Sequence, residues 1–154
     1  MKHDHDMKQD HYKHLIVTTL INAVIMYLVM YTMINGLPDF YNNINQLYMV
    51  FMMAAPMVTI MLIDMKSMFK DKRLNLILHA SAAALVILGF AGMRTQAAVG
   101  DSQFLRAMIP HHSGAILMCR EASLTDPEIE KLCEGIIKSQ QAEIDQMKAM
   151  LTRY

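Results

Sequence analysis

Three long runs without a charged residue dominate the pattern of hydrophobic and polar positions along the chain. They occupy residues 15–36, 40–63 and 74–93. Each run is at least as long as the roughly 20 residues that a helix needs to cross a hydrocarbon core about 30 Å thick. Buried helices of a soluble bundle are the alternative, but soluble helices of this length usually carry a charged face. The pattern therefore predicts three transmembrane helices, the first of them too long for the apolar region of a cleaved signal peptide.

The lysines and arginines that flank these runs predict the orientation of the chain in the membrane. They occur in the amino-terminal tail and in the second loop, at Lys2, Lys8, Lys13, Lys66, Lys70, Lys72 and Arg73. The first loop, residues 37–46, contains none. Because basic loops stay in the cytoplasm, we expect the tail and the second loop inside and the first loop outside. Three crossings then place residues 94–154 outside the cytoplasm. For a protein of the bacterial inner membrane, this compartment is the periplasm.

Beyond the third run the pattern changes to two amphipathic segments separated by "LTDPE". Asp126 suits the N-cap of the second segment and Pro127 its first helical position, so we predict a helix from Pro127 to Leu151. The stretch "RTQAAVGDSQ" either continues the third helix or breaks near Gly100. A short link between two helices predicts an antiparallel hairpin. The predicted organisation is a cytoplasmic His/Asp-rich tail at 1–14, a transmembrane domain at 15–93 and a hairpin domain at 94–154.

Ligand-capable side chains occupy the apolar faces of both predicted hairpin helices. At about 100° per residue, one face of the first helix carries Asp101, Phe104, Met108, His111, His112, Ala115, Cys119 and Ala122. One face of the second carries Ile129, Cys133, Ile136, Gln140, Glu143, Ile144, Met147 and Leu151. Folding the chain at the turn places the two histidines level with Gln140, and Met108 level with Glu143. The two cysteines then also face each other.

A hairpin of two helices leaves part of its apolar face exposed to water. A four-helix bundle encloses such faces, so residues 100–151 are expected to self-associate. We predict a homodimer or a higher even oligomer, with membrane lipid around the three spans. The formal net charge is zero, with 14 basic and 14 acidic residues, so the composition indicates no nucleic-acid partner.

Methionine is unusually frequent, with 17 residues in a chain that has no tryptophan. Within the second run, methionines recur every four residues, at Met49, Met53, Met57, Met61 and Met65. Steps of four drift by about 40° each on an α-helix, so these five cannot all line one pore. Flexible apolar filling is the better interpretation. His79 and Asn22, inside the runs, are expected to form hydrogen bonds with neighbouring helices.

The strings "GDSQFLRAMIPHHSGAILM" and "EIEKLCEGIIKSQQAEIDQMKAML" resemble domain-of-unknown-function family 305. The resemblance covers residues 100–151, and the three predicted spans are similar to the membrane anchor of one subgroup of that family. It implies a ferritin-like helical bundle in the cell envelope with a link to copper. Carried over position by position, it implies metal ligands at Asp101, Met108, His111, His112, Met118, Glu143 and Met147. The chain departs from the family pattern at two points. Met150 occupies the position of the usual tryptophan, and only one hairpin is present where many members carry two.

The implied ligands favour particular metals. Imidazole with thioether favours Cu(I), whereas a carboxylate such as Glu143 shifts the preference toward Cu(II) or Zn(II). Adjacent histidines point about 100° apart on a helix, so both bind one ion only if it lies between them. The Glu-x-x-His pairing of di-iron oxidases is absent, and no nucleophile is paired with a base, so we expect no enzyme. The tail sequence "HDHD", with His11 and His14, is a weaker candidate for a divalent metal, because flexible tails are usually only solvated.

Cys119 and Cys133 have three possible roles. One is a disulfide, which suits a location outside the cytoplasm, and the hairpin register places the two residues level with each other. Alternatively they are soft copper donors, or small buried residues without chemistry.

These patterns favour a membrane-anchored protein that binds a soft metal, with copper preferred, for metal tolerance or delivery in the cell envelope. A structural or oligomerisation module without metal is the second hypothesis, in which the hairpin only holds subunits together. The third hypothesis is a copper transporter that uses the methionine-rich transmembrane helices.

Overall fold

The chain folds as an all-α protein, as predicted. The computed structural model describes residues 2–154, with side chains described from Asp10 onward, and no strand occurs in that range. The five helices of this range are α1 Lys2–Val29, α2 Ile44–Asp64, α3 Lys72–Thr95, α4 Asp101–Glu121 and α5 Pro127–Leu151. Two short 3₁₀ turns, Met30–Met33 and Leu37–Asp39, lie between α1 and α2.

Three of the described helices are long and apolar enough to cross a membrane. The candidate spans are Asp10–Met33, Ile44–Asp64 and Lys72–Thr95, which confirms the three predicted runs as candidate membrane helices. The first helix begins earlier than predicted, since α1 includes most of the predicted tail. His11 and His14 lie on α1, whereas the histidines of "HDHD" lie outside the described side chains.

Residues 1–28 and 47–97 form one compact unit that contains most of α1 and α2 and all of α3. A buried apolar cluster in this unit consists of Tyr12, Leu15, Leu62 and Phe69. The Tyr12 hydroxyl donates to Asn75 Oδ1 at 2.7 Å and accepts the backbone N–H of Asp71 at 3.2 Å. The amino-terminal part of α1 is therefore tied to the loop between α2 and α3.

Close contact between α2 and α3 depends on two glycines. A Cβ atom added at Gly92 would lie 2.8 Å from the Tyr48 ring, and one at Gly89 would lie 3.0 Å from the Tyr48 carbonyl oxygen. Small residues allow helices to approach closely in this way within membranes. His79 Nδ1 lies 3.3 Å from Thr59 Oγ1, which confirms the predicted hydrogen bond of His79 to a neighbouring helix.

The methionines of α2 are distributed over several environments in this unit. Met49 and Met53 are exposed, whereas Met61 and Met65 pack against the cluster around Tyr12. An apolar cleft is lined by residues of α1, α2 and α3, and none of these described lining residues is a methionine. These positions favour apolar filling over a shared metal path.

The connection between α3 and α4 is a break in the helix, which was one of the two options for "RTQAAVGDSQ". Gln96 and Ala98 adopt left-handed backbone conformations, with φ of 51° and 57°. A left-handed residue is a common way to end an α-helix. Gly100 then forms the extended N-cap of α4, which begins as a separate helix at Asp101.

α4 and α5 form the hairpin that the sequence predicts. The Asp126 side chain accepts a backbone hydrogen bond and caps α5, as expected. The two helices run antiparallel, since Cys119 is joined to Cys133 near the turn and Asp101 meets Tyr154 at the other end. Their common core consists of Leu105, Ile109, Ile116, Ile144 and Met147. Burial of each such side chain stabilises the hairpin by about 1.5–3 kcal/mol.

The segment between α1 and α2 packs against the hairpin. Residues 29–46 and 98–154 form the second compact unit, whereas the sequence placed this segment in the transmembrane domain. Gly114 of α4 allows the close approach, because a Cβ atom there would lie 3.2 Å from the Met33 carbonyl oxygen. Tyr41 of the segment packs against the hairpin core. Residues 29–46 of the same chain therefore cover part of the hairpin surface, in addition to the contacts between α4 and α5.

Candidate metal centre

His112 is a buried histidine of α4 whose two ring nitrogens both have partners. It is 6% exposed. Its Nδ1 is 2.9 Å from the Met108 carbonyl oxygen, and its Nε2 is 2.7 Å from Oε2 of Glu143 on α5. A carbonyl oxygen only accepts hydrogen bonds, so Nδ1 donates to it. This contact fixes the ring with Nε2 directed at the carboxylate, and proteins commonly orient metal-binding histidines in this way.

The direction of side chains on a helix explains the partner of His112. Cα–Cβ bonds tilt toward the amino terminus of an α-helix. The predicted register places Glu143 level with Met108, one turn before His112, and the His112 side chain reaches back to that level. The structure therefore pairs His112 with Glu143 rather than Gln140, whose Oε1 is buried without a hydrogen-bond partner among the described residues.

Glu143 contributes a carboxylate at the rim of the groove between α4 and α5. The next residue, Ile144, is buried, but the Glu143 side chain is 53% exposed. A polar contact that is half in water contributes little to stability, typically below ~1 kcal/mol. An accessible carboxylate beside a fixed imidazole is open to an incoming cation.

Two of the three predicted thioether ligands lie close to this pair along the helices. Met108 is one turn before His112 and packs against the core cluster, and Met147 is one turn after Glu143 and belongs to that cluster. Met118 is exposed and lies about 9 Å from His112 along α4, at a rise of about 1.5 Å per residue. Met118 is therefore separate from the other predicted ligands.

His111 and Asp101 also lie apart from the pair. His111 is exposed, and its ring centroid is 5.8 Å from that of His112. Asp101 begins α4, about 16 Å from His112 along the axis. There its Oδ2 accepts a hydrogen bond from the Tyr154 hydroxyl at 3.1 Å. This hydrogen bond and the negative charge of Asp101 raise the pKa of Tyr154 above its ordinary value, because ionisation would remove the donor and bring two negative charges together.

The donors of this region fit a soft metal by type but form an incomplete set in one chain. Imidazole and thioether groups favour Cu(I), and a carboxylate is compatible with Cu(II) or Zn(II). Among the side chains that the structure describes, no group of three or more His, Cys, Asp or Glu could hold a metal ion. A single chain therefore supplies one imidazole and one carboxylate, with thioethers nearby.

Cys119 and Cys133 form a disulfide between α4 and α5. Their Cα atoms are 5.2 Å apart, within the usual range for disulfides. The predicted register placed these residues level with each other, and the disulfide is one of the three interpretations left open by the sequence. Sulfur atoms bonded to each other are not thiolate ligands, so the donors of the candidate centre come from other residues.

Comparison with known proteins places the chain in a family. A family model described as a domain of unknown function (DUF305) matches residues 51–151. The chain belongs to this family. Uncharacterized protein L153 of Acanthamoeba polyphaga mimivirus is 38% identical to this DUF305 chain over 119 residues, which cover 76% of either protein. No solved structure matches the chain significantly.

A second polar cluster of this DUF305 chain, which sequence reasoning missed, joins the hairpin to the segment before α2. Asp39 is buried and accepts hydrogen bonds from the Ser113 hydroxyl and the Lys148 ammonium group, both at 2.5 Å. The Asn35 N–H donates to Ser113 Oγ at 2.8 Å. A buried carboxylate needs such partners, because burial of an unpaired charge is costly. The available signal was a single acidic residue in the otherwise uncharged loop "LPDFYNNINQ".

The two polar clusters lie on different sides of the hairpin. Ser113 is about 100° from His112 around α4, and Lys148 is about 140° from Glu143 around α5. Residues 29–46 reach the side with Ser113 and Lys148. The side with Glu143 remains exposed to solvent in the single chain.

Proposed function

We propose that this protein is anchored in a membrane and binds a soft metal ion, with copper preferred, for metal tolerance or delivery in the cell envelope. The observation that carries the proposal is the fixed imidazole of His112. A backbone carbonyl holds its Nδ1, and its Nε2 is directed at the accessible carboxylate of Glu143. Imidazole and carboxylate groups oriented in this way are common metal ligands.

Copper is preferred because of the sulfur atoms near this pair. Met108 and Met147 lie one helical turn from His112 and Glu143, respectively, and their thioethers are soft donors. Imidazole with thioether favours Cu(I), and the carboxylate extends the range to Cu(II) or Zn(II). In this proposal copper is the cargo, held by His112 Nε2 and Glu143 with a thioether of the same hairpin.

We also propose that the hairpin lies outside the cytoplasm, on the periplasmic side of a bacterial inner membrane. Three crossings put the start of α1 and the loop after α2 on one side, and the segment before α2 and the hairpin on the other. Contacts within each compact unit support this pairing, since Tyr12 bonds to Asn75 and Asp39 bonds to Ser113. The basic second loop favours the cytoplasm for the side that contains the start of α1 and the loop after α2. A disulfide in the hairpin suits an oxidising compartment on the other side.

Self-association of the hairpin is part of the proposal. The side of the hairpin that carries Glu143 is exposed to solvent. Pairing of two hairpins would give the ferritin-like four-helix bundle that encloses such faces. The proposed assembly is a homodimer or a higher even oligomer through residues 100–151.

A structural module without metal is the second candidate function. His112 is buried, and both of its ring nitrogens have hydrogen-bond partners within the chain. A histidine that only stabilises a core is satisfied in the same way. In this case the contact with Glu143 fixes the register of the hairpin, and no ion binds.

Cu(I) binding by the full-length protein in detergent separates the two candidates. In a competition titration with a chromophoric Cu(I) chelator, the wild-type chain is expected to bind Cu(I) tightly. His112→Ala removes the fixed imidazole and should weaken binding at least tenfold, or by about 1.4 kcal/mol, with a smaller loss for Glu143→Gln. Glu134→Gln removes an exposed carboxylate of α5 that is not a predicted ligand and is the matched control, with binding equal to that of the wild type.

The same titration can reject the proposal. A wild-type chain that takes up no Cu(I) excludes the metal-binding function. Unchanged uptake by His112→Ala, together with a lower unfolding temperature, favours the structural module instead.

A further inference from the structure

We propose that a second copy of this chain completes the metal site, with His111 of one copy joining the His112–Glu143 pair of the other. The inference rests on the proposed function and adds to it a ligand and a stoichiometry. His112 and Glu143 are in contact, and no third His, Cys, Asp or Glu of the described side chains completes their group within one chain. His111 of a second copy supplies that third ligand.

His111 is exposed, although it directly precedes the buried His112. Consecutive side chains point about 100° apart around a helix. His112 Nε2 is directed across the groove at Glu143, while the His111 ring lies at the surface, with the two ring centroids 5.8 Å apart. An imidazole in this position is available to a molecule that docks on the open side of the hairpin.

The open side of the hairpin is apolar around these ligands. Phe104 and Met118 on α4 are 52% and 56% exposed, and Leu132 on α5 is 61% exposed. The arc of α4 with Phe104, His111 and Met118 covers about a third of the circumference and contains no charged residue. An arc of similar width on α5, centred near Leu132, contains two charged residues, Glu128 in the first turn and Glu143. Such a surface is typical of a protein interface.

A second copy fits this surface because the two helices carry complementary groups. α4 presents the His111 imidazole on the face with Phe104 and Met118, and α5 presents the Glu143 carboxylate on the face with Leu132. A twofold axis parallel to the helices sets α4 of each copy against α5 of the other and keeps residues at the same height. Glu143 is already level with the α4 turn from Met108 to His112. His111 of each copy therefore faces Glu143 of the other, and both contacts form together.

The covered side of the hairpin limits the assembly to a dimer. On that side Asp39 bonds to Ser113 and Lys148 and holds residues 29–46 against the helices. One open side per chain gives a closed twofold pair. Each dimer then has two equivalent sites, and each site adds His111 of one copy to the His112, Glu143 and thioether ligands of the other.

Mixed dimers of two variants test the inference. One full-length chain carries His111→Ala and the other carries His112→Ala, each with a different affinity tag, and two successive purifications after co-expression isolate the mixed dimer. Each variant alone lacks a ligand in both sites and should lose tight Cu(I) binding. The mixed dimer keeps one intact site, made of the His112–Glu143 pair of the first chain and His111 of the second. It should bind half as much Cu(I) as the wild-type dimer.

Two further measurements keep the test independent of folding defects. Glu143→Gln can replace His112→Ala in the second chain, because the mixed dimer then has the same intact site and keeps both buried imidazoles. Native mass spectrometry of the wild-type protein should show a dimer with two copper ions. A mixed dimer of two differently tagged Glu134→Gln chains is the matched control and should bind as much Cu(I) as the wild type, because Glu134 is an exposed carboxylate of α5 outside the proposed site.

The outcomes distinguish this inference from the proposed function. A wild-type protein that binds Cu(I) as a monomer, or mixed dimers that bind none, would overturn the shared site and leave the metal-binding function in place. A wild-type protein that binds no Cu(I) would remove both.

Discussion

Replacement of Asp39 by alanine is expected to lower the free energy of unfolding of the hairpin unit by about 3 kcal/mol. The change leaves the Lys148 ammonium group without its partner and the buried Ser113 hydroxyl without its acceptor. Loss of one member of a buried ion pair costs about 3–5 kcal/mol. We expect the lower end of this range because the Lys148 side chain is 29% exposed and can regain water. Chemical denaturation of the full-length protein in detergent measures the change.

Hydrogen exchange and two further variants locate this effect. Residues 29–46 should exchange faster in Asp39→Ala, because the contact that holds them on α4 is lost. Asp39→Asn keeps an acceptor for Ser113 and should lie between the wild type and Asp39→Ala. Asp145→Ala removes an exposed acidic residue of α5 and should change the stability by less than about 0.5 kcal/mol. Equal losses for Asp39→Ala and Asp145→Ala would contradict the stabilising role of Asp39.

Loss of the disulfide between Cys119 and Cys133 is expected to cost about 3 kcal/mol of stability. The bond joins residues with a sequence separation of 14. The chain-entropy model gives about 3 kcal/mol for a loop of about 15 residues. A chain with Cys119→Ser and Cys133→Ser should therefore unfold at a lower denaturant concentration than the wild type. Its Cu(I) binding should stay unchanged, because these sulfur atoms are not ligands in the proposed site.

A reductant supplies the control for the cysteine pair. Dithiothreitol should lower the stability of the wild type to that of the double variant and leave the double variant unaffected. A wild type that is insensitive to reductant would contradict the disulfide. Loss of Cu(I) binding in a folded double variant would restore the interpretation of the cysteines as soft donors.

The helices were predictable because their signals are local in the sequence. Three uncharged runs of membrane-spanning length identify the candidate spans, and the Asp126–Pro127 pair identifies the start of α5. The antiparallel arrangement follows from the short turn. The hairpin register then places Cys119 and Cys133 at the same height. Each of these features depends on residues that are close in sequence or related by one turn.

The packing of residues 29–46 was not predictable in this way. Asp39 and Ser113 are separated by 74 positions, and no periodicity links a loop residue to a helix that follows two further membrane runs. The close approach also depends on Gly114, whose role is visible only when the Met33 carbonyl oxygen is placed beside it. Domain boundaries drawn from hydropathy therefore assigned this segment to the membrane runs on either side of it.

The structure brings together only part of the predicted ligand set, namely His112 and Glu143. The helix periodicity placed both His111 and His112 on the apolar face of the first hairpin helix, because the centre of that face lies between these adjacent positions. Packing then separated them, with His112 buried and His111 exposed. The predicted register placed His112 beside Gln140, whereas the structure pairs it with Glu143. The register compares only the heights of the residues along the helices and ignores the tilt of side chains toward the amino terminus of α4.

The copper content of protein purified from copper-supplemented cells tests the central claim most directly. Elemental analysis is expected to find bound copper in the wild type and in Glu134→Gln, and to find it lost from a chain with both His112→Ala and Glu143→Gln. The same copper content in that double variant as in the wild type, or no copper in the wild type, would contradict the assignment of His112 and Glu143 as metal ligands.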